Sequence, residues 1–294
     1  MYQESLFVPV ADHQLHLRHI WRDNGGAPVL MLHGAIENGK IFYTESNKGL
    51  GSFLARQGLD VFVADFRGRG QSQPSLYESQ NHGQYHSITE DIPALIEFIH
   101  QQTNQPVHIV CHSWGGVLAA STMVRFPELR SKIKSYLCFG TKRQITVWNF
   151  ERLLKISLIW KRFSPWIAKR KGYLDAKKLK IGSDGETLDT LKEGVSWVKI
   201  GPWQDPVDSF DYESAAKHYD WPPTWHITGL KDKALGHEKD VKVFMAECHN
   251  PDADFSLLSK ATGNHVDYDH INILTHPKSE MDHFPKVAAW LNKH

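Results

Sequence analysis

The sequence predicts an α/β protein: a doubly wound, mostly parallel sheet interrupted by an inserted, mainly helical cap. Three observations lead there. Short apolar runs rich in Val, Ile and Leu alternate with helical patterns, as in a parallel sheet covered on both faces. One such run, Pro106-Val107-His108-Ile109-Val110, passes through Cys111-His112 into Ser113-Trp114-Gly115-Gly116 and then into a helical run from Val117 to Val124. From about Lys142 to Asp220 no clear strand pattern occurs, so residues 142–220 read as an insertion between a first core part, 1–141, and a second, 221–294.

The elements follow in order. Gln14 to Trp21 alternates roughly and reads as an antiparallel edge strand, and Asp23-Asn24-Gly25-Gly26 as a turn. Pro28-Val29-Leu30-Met31-Leu32 is a buried strand ending at His33-Gly34-Ala35. A helix is expected from Leu50 to Gln57, stopping at Gly58. Leu59 to Ala64 is the next buried strand, ending at Asp65-Phe66-Arg67-Gly68-Arg69-Gly70-Gln71-Ser72. Thr89-Glu90-Asp91 starts a helix that runs through Leu95-Ile96-Glu97-Phe98-Ile99. After the Ser113 junction, Lys134 to Phe139 is a strand; beyond the insertion, Thr224 to Thr228 and Asp254 to Leu258 are strands and Phe284 to Leu291 a helix. In such sheets the chemistry sits outside the carboxyl ends of the strands, where these loops converge.

Composition narrows the function classes. A formal net charge of +1 implies no polyelectrolyte partner such as nucleic acid. The cysteines Cys111, Cys138 and Cys248 form no disulfide framework and no paired C-x-x-C. The stretch Met1-Tyr2-Gln3-Glu4-Ser5 lacks the basic and apolar regions of a signal peptide, and no apolar run is long enough to span a membrane, so the default expectation is a cytoplasmic enzyme. No Gly-rich phosphate loop follows the first strands, so no nucleotide cofactor is indicated.

The Ser113 junction has the strand–turn–helix context of a nucleophile elbow. So tight a turn forces the serine into a strained backbone conformation and exposes its Oγ above the strand ends. Residues two places either side must be small. Gly115 meets that need; Cys111 stands where glycine is usual. Together with His33-Gly34, Asp65-x-Arg67-Gly68-x-Gly70-x-Ser72, Gly229-Leu230-Lys231-Asp232 and Asp269-His270-Ile271-Asn272-Ile273-Leu274, the junction resembles the motif set of the α/β-hydrolase superfamily, in its cap-bearing serine esterase and lipase-like branch. The resemblance spans nearly the whole chain apart from the cap.

The resemblance implies a catalytic triad in the chain order Ser113, Asp232, His270. A serine hydroxyl needs an adjacent base, the imidazole relays the proton, and the carboxylate fixes its tautomer. It further implies an oxyanion hole from the N–H groups of Ala35 and Trp114, with His33, Gly34, Trp148 and Trp160 touching substrate and no cofactor or metal. The implied reaction is cleavage of a small-molecule carboxylic ester with an apolar acyl or alcohol part. Acyl transfer or C–C cleavage on the same triad, or a silent binding protein of this fold, are the alternatives. A serine at the elbow excludes the aspartate chemistry of dehalogenases and epoxide hydrolases.

Rivals exist for each role. Asp205, Asp208 and Asp211 are acids of the insertion. His265, His276 and His283 compete with His270, which is preferred because it follows the last strand and opens an apolar run. The run His265-Val266-Asp267-Tyr268-Asp269-His270 resembles a metallo-hydrolase ligand set with its middle histidine replaced, but the elbow argues for metal-free chemistry. Asp65, Arg67 and Ser72 read as a structural turn, and Cys111 as packing. In the insertion, Phe150, Leu153, Leu154 and Trp160 fall on one side of a helix, with Glu151, Lys155 and Arg162 on the other. Such a face lines a pocket above Ser113 or lies on a membrane or lipid surface. The pocket is preferred, since a helix packed on its own domain has the same pattern.

Overall fold

In the computed structural model, which describes residues 1–23, 25–147 and 164–294, the chain folds around an eight-stranded sheet. Strands β1 (Tyr2–Val10) and β2 (His13–Trp21) form an antiparallel hairpin. β3 (Pro28–Leu32), α1 (Leu50–Arg56) and β4 (Asp60–Ala64) follow. A single turn, α2 (Gln84–His86), continues through a π-helical turn at Ser87–Asp91 into α3 (Ile92–Thr103). Next come β5 (Val107–His112), α4 (Trp114–Arg125) and β6 (Ile133–Phe139). The insertion carries α5 (Ser164–Lys171), the short pair β7 (Tyr173–Leu174) and β8 (Glu186–Thr187), α6 (Leu188–Trp197) and α7 (Tyr212–His218). The sheet resumes with β9 (Thr224–Gly229), α8 (Glu238–Glu247) and β10 (Asp254–Leu258). Then come α9 (Asn272–Thr275), α10 (Ser279–Asp282) and α11 (Phe284–Lys293).

The strand order is β1-β2-β4-β3-β5-β6-β9-β10, parallel from β4 onward. β4 lies on one side of β3 and β5 on the other, so the order reverses between β3 and β5. Crevices at such switch points, outside the carboxyl ends of the strands, are where ligands bind in open α/β sheets.

Burial on both faces explains the apolar strands. Leu30, Leu32, Ile109, Cys111 and Cys138 point to the face covered by α3 and α4. Val29, Met31, Val110, Leu137 and Phe139 point to the face covered by α1 and α11. This is the two-residue alternation of a strand, with each side chain given a helix to pack against. Cys111 sits beside Cys138 in the β5–β6 register, in packing as expected.

Two expectations are corrected. β2 is not an edge strand: β1 pairs with its outer side and β4 with its inner side. β1 is largely exposed, with polar Gln3-Glu4-Ser5 in its first half and Pro9 in its second, as an edge strand tolerates. The helix expected from Thr89 begins earlier, at Gln84, because the π-turn at Ser87–Asp91 carries the spiral through a break in the apolar spacing. The insertion also holds a two-residue β-pair where no strand was read. Among its basic residues, Lys169, Arg170 and Lys171 occupy the last turn of α5, where cations oppose the negative end of the helix dipole.

The loop after β4 is a structural turn. Asp65 accepts from His16 Nδ1 at 2.8 Å, from the Gly39 N–H at 2.7 Å and from the Gln71 N–H at 3.0 Å. Ser72 Oγ donates to the Asp65 carbonyl. Gly70 takes a positive φ of 56°, and a Cβ there would lie 2.0 Å from Asp65 Oδ2. Arg67 Nε donates to buried Asp91 Oδ1 at 2.5 Å and the guanidinium also pairs with Glu90. Breaking a buried pair strands a charge in the interior. Arg67→Met should therefore destabilise the fold by about 3–5 kcal/mol, read from the urea midpoint. Adding Asp91→Leu to it should recover much of the loss, since the stranded carboxylate is then gone.

Candidate active site

The junction between β5 and α4 is built by close approach of backbone. Ser113 adopts φ 53° and ψ −122°, a strained pair for a residue with a side chain. It is held by its N–H donating to the Phe139 carbonyl at 2.8 Å and by Thr141 Oγ1 donating to its carbonyl at 3.0 Å. A Cβ at position 115 would lie 2.4 Å from the His33 carbonyl oxygen, which is why Gly115 is required. One at position 34 would lie 2.8 Å from Ser113 Cβ. The loop after β3 therefore presses directly against the elbow.

Three side chains from three loops meet there. Ser113 Oγ lies 2.8 Å from His270 Nε2, and His270 Nδ1 lies 2.5 Å from Asp232 Oδ2. A carboxylate only accepts, so Nδ1 carries the proton and Nε2 is left to accept from the serine hydroxyl. Asp232 is itself oriented: its Oδ1 accepts from the Leu235 and Gly236 N–H groups at 3.0 and 2.8 Å. Burial works to raise the Asp232 carboxyl, but the His270 charge and hydrogen bonds hold it below the usual carboxylate range. Burial lowers the His270 imidazole below its ordinary value, with Asp232 opposing and His112 reinforcing the shift.

A second imidazole supports the first. His112 Nδ1 lies 2.8 Å from Glu37 Oε2 and His112 Nε2 lies 2.8 Å from the His270 carbonyl oxygen. Both neighbours accept, so both ring nitrogens donate and the ring is an imidazolium. Burial alone would lower its pKa; the Glu37 carboxylate outweighs that and raises it. Burial likewise works to raise Glu37, which the His112 charge nevertheless holds down to about 2. Glu37 Oε2 also accepts from the Gly34 N–H at 2.9 Å.

The expected donors to an oxyanion stand beside this pair. The N–H groups flanking Ala35 are both occupied: Gly34 donates to Glu37, and Ile36 donates to Glu186 Oε1 at 2.7 Å. The Ala35 N–H between them has no acceptor among the described residues. Trp114 is the first residue of α4, where an N–H has no partner within the helix. Ala35, Trp114, Ser113 and His270 all line one cavity of about 740 Å³, walled largely by Ile36, Ile41, Ile145, Ile181, Val198 and Leu235.

The remaining expectations divide. His33 and Gly34 do not line that cavity. His33 is fully buried; its Nδ1 donates to the Gly34 carbonyl at 2.8 Å and its Nε2 accepts the Phe66 N–H at 3.2 Å. Burial brings it down to about 4, so it is a neutral tie between two loops rather than a substrate contact. Trp148 and Trp160, with Phe150, Leu153 and Leu154, lie outside the described residues. The rival groups are engaged elsewhere. Asp205 accepts from the Tyr212 hydroxyl at 2.5 Å and from the Val207 N–H at 2.9 Å. Asp208 pairs with Arg125 and Asp211 caps α7. His265 pairs with Asp282, the His276 ring packs on Tyr268, and buried His283 Nε2 donates to the Ile273 carbonyl. In the run ending at His270, Asp267 accepts from the Lys260 N–H and Asp269 from the Ile271 and Asn272 N–H groups. Glu37, His112, Lys142 and Glu186 were not singled out from sequence. His112 sits next to Ser113, yet adjacency alone does not tell a second buried imidazole from a strand residue.

Known proteins share this fold. A family model described as alpha/beta hydrolase fold matches residues 27–163. Human lysosomal acid lipase/cholesteryl ester hydrolase is 34% identical over 134 residues, covering 42% of this chain and 34% of that protein. Mouse gastric triacylglycerol lipase is 31% identical over 191 residues, covering 60% of this chain and 48% of that one. The chain thus spans between a third and a half of the length of these relatives. A crystal structure of a soluble variant of monoglyceride lipase from Saccharomyces cerevisiae superposes with a TM-score of 0.72 at 17% identity, over 100% of this chain and 95% of that one.

One expectation follows from the paired imidazoles. With burial and the His112 charge both acting on it, His270 should titrate below the ordinary imidazole value. His112→Gln removes a cation and leaves Glu37 uncompensated, and both changes favour protonated His270. Its titration should move upward, as read from the imidazole proton resonances assigned by difference from His270→Gln. An unmoved midpoint would separate the two rings electrostatically.

Proposed function

We propose, for a chain that belongs to the α/β-hydrolase superfamily, hydrolysis of a carboxylic ester through an acyl-enzyme. The observation that carries the proposal is the hydrogen-bonded series Ser113 Oγ, His270 Nε2, His270 Nδ1, Asp232 Oδ2, opening onto a cavity beside the Ala35 and Trp114 N–H groups. In this reading Ser113 Oγ attacks the ester carbonyl while His270 Nε2 takes its proton. Asp232 stabilises the imidazolium so formed. In the same reading the carbonyl oxygen gathers negative charge toward the Ala35 and Trp114 N–H groups, which would act as its hydrogen-bond donors. His270 then returns the proton to the leaving alcohol. Water, deprotonated by the same nitrogen, releases the acid and restores Ser113.

The apolar walls support a substrate with an apolar acyl or alcohol part. The named specificities of the lipase relatives, cholesteryl esters and triacylglycerols, belong to the same broad ester class. We assign residues 142–220 the role of a cap. Support comes from Ile181, Gly182, Ser183, Gly194 and Val198, which line the same cavity as Ser113. Among the described residues no helix is long and apolar enough to cross a membrane.

A fluorophosphonate should label Ser113, with the adduct located by mass spectrometry. Ser113→Ala should lower turnover of a short-chain nitrophenyl ester on the order of 10⁴-fold. An adduct on another serine, or full turnover in Ser113→Ala, would overturn the proposal. Across a series of soluble esters, kcat/KM should rise with acyl length until the cavity is filled.

A further inference from the structure

Lys142 stands two residues beyond Gly140, in the short loop that leaves β6. The loop is fixed on both sides: Gly140 turns with φ 60° and donates its N–H to the Ile227 carbonyl, and Thr141 Oγ1 donates to the Ser113 carbonyl. This pinning sets the position of the Lys142 stem. The residue is only 5% exposed, and it lines the same cavity as Ser113 and His270. Its Nζ lies 5.9 Å from the centroid of the Trp114 ring, next in sequence to Ser113.

No carboxylate lies within 4.0 Å of that ammonium and it makes no hydrogen bond among the described residues. The other lysine on the cavity wall, Lys40, is different: it is exposed and pairs with Glu45 at 3.5 Å. Lysine is almost never buried unless paired, because an ammonium removed from water costs several kcal/mol without a compensating anion. Burial pulls the Lys142 ammonium below its usual range, while Asp232, Asp240 and Glu37 act at longer range to keep the proton on. These acids hold other partners. Asp232 binds His270, Glu37 binds His112, and Asp240 Oδ1 binds the Thr146 N–H and hydroxyl. Apart from Glu37, Asn38 and a few small polar side chains, the remaining walls among the described residues are mostly aliphatic, so Lys142 brings a buried cation to a largely apolar chamber.

We propose that Lys142 is a specificity-determining residue that binds a carboxylate on the substrate, so that the preferred ester is an acidic one with its negative charge away from the scissile bond. The inference rests on the esterase reading above and narrows its substrate class. The carboxylate has two sources, the acyl part or the alcohol part, and two pairs of esters separate them. In the acyl arm, 4-nitrophenyl hydrogen succinate is compared with 4-nitrophenyl butyrate. In the alcohol arm, carboxymethyl butyrate is compared with propyl butyrate.

The measured quantity is the acidic-to-neutral ratio of kcat/KM in wild type, Lys142→Met and Lys142→Arg. A general effect on the triad through Asp232 moves both members of a pair alike and cancels in the ratio. In at least one arm Lys142→Met should lower the ratio roughly tenfold to a hundredfold, the scale of one hydrogen bond to a charged group. Lys142→Arg, which keeps the charge, should restore part of it. Fluorophosphonate labelling of Ser113 reports that each variant is folded. If Ser113 labels and neutral esters are cleaved, but the ratio in Lys142→Met stays within about twofold of wild type in both arms, the Lys142 inference is overturned alone. If Ser113 does not label and no ester is cleaved by wild type, the esterase reading falls and takes this inference with it.

Discussion

The buried Glu37–His112 pair is the constraint around which the strand ends are arranged. Glu37 belongs to the loop after β3, His112 to the last position of β5, and the carbonyl that His112 grips belongs to His270, beyond β10. Glu37 also accepts from the Gly34 N–H. One ion pair therefore joins three loops that the sheet delivers to the same edge. Both His112 nitrogens are engaged and Glu37 Oε2 takes two donors, the condition under which a buried charge specifies an arrangement instead of weakening it. Removing His112 would leave the Glu37 carboxylate without its counter-charge, and removing Glu37 would let burial take the proton from His112.

That arrangement also sets the proton affinities. His270 lies between a carboxylate on its Nδ1 side and an imidazolium whose ring centroid is 4.7 Å away. Asp232 makes the protonated form of His270 more favourable, while burial and His112 make it less so. The outcome is a ring that is neutral near neutral pH yet stabilised when it receives a proton. A base that must accept and then return a proton works best when its affinity is near balance.

Much of this was legible in the sequence, for physical reasons that differ by element. β3, β4 and β5 read cleanly because both their faces are covered and every residue is apolar or packed. The Ser113 turn read cleanly because steric crowding against the His33 carbonyl leaves no choice but glycine at position 115. β1 was not legible, since polar Gln3-Glu4-Ser5 and the interposed Pro9 interrupt its apolar patterning. Nor were Glu37 and Glu186, whose partners lie 75 and 150 residues away and leave no local spacing to read. The direction of His33 was not legible, because the motif marks a loop and a loop residue can face inward, as His33 does in bonding Gly34 and Phe66. What the motifs conveyed was chain order and strand-end placement; what they lacked was direction of the side chain.

The contact between Glu186 and the Ile36 N–H has a consequence for how such chains diversify. Glu186 also pairs with Arg69, and Trp197, Trp203 and Tyr212 belong to the same apolar cluster as the central strands. The insertion is therefore not an interchangeable module joined at two hinges. Replacing it with a segment that lacks the acid at 186 and the aromatic residues at 197, 203 and 212 would uncover the cluster and release the Ile36 N–H. Two adjacent N–H groups would then be unclaimed where there is now one. The loop after β3 and the chamber wall are therefore coupled, and an exchange at the borders of the insertion would disturb both at once.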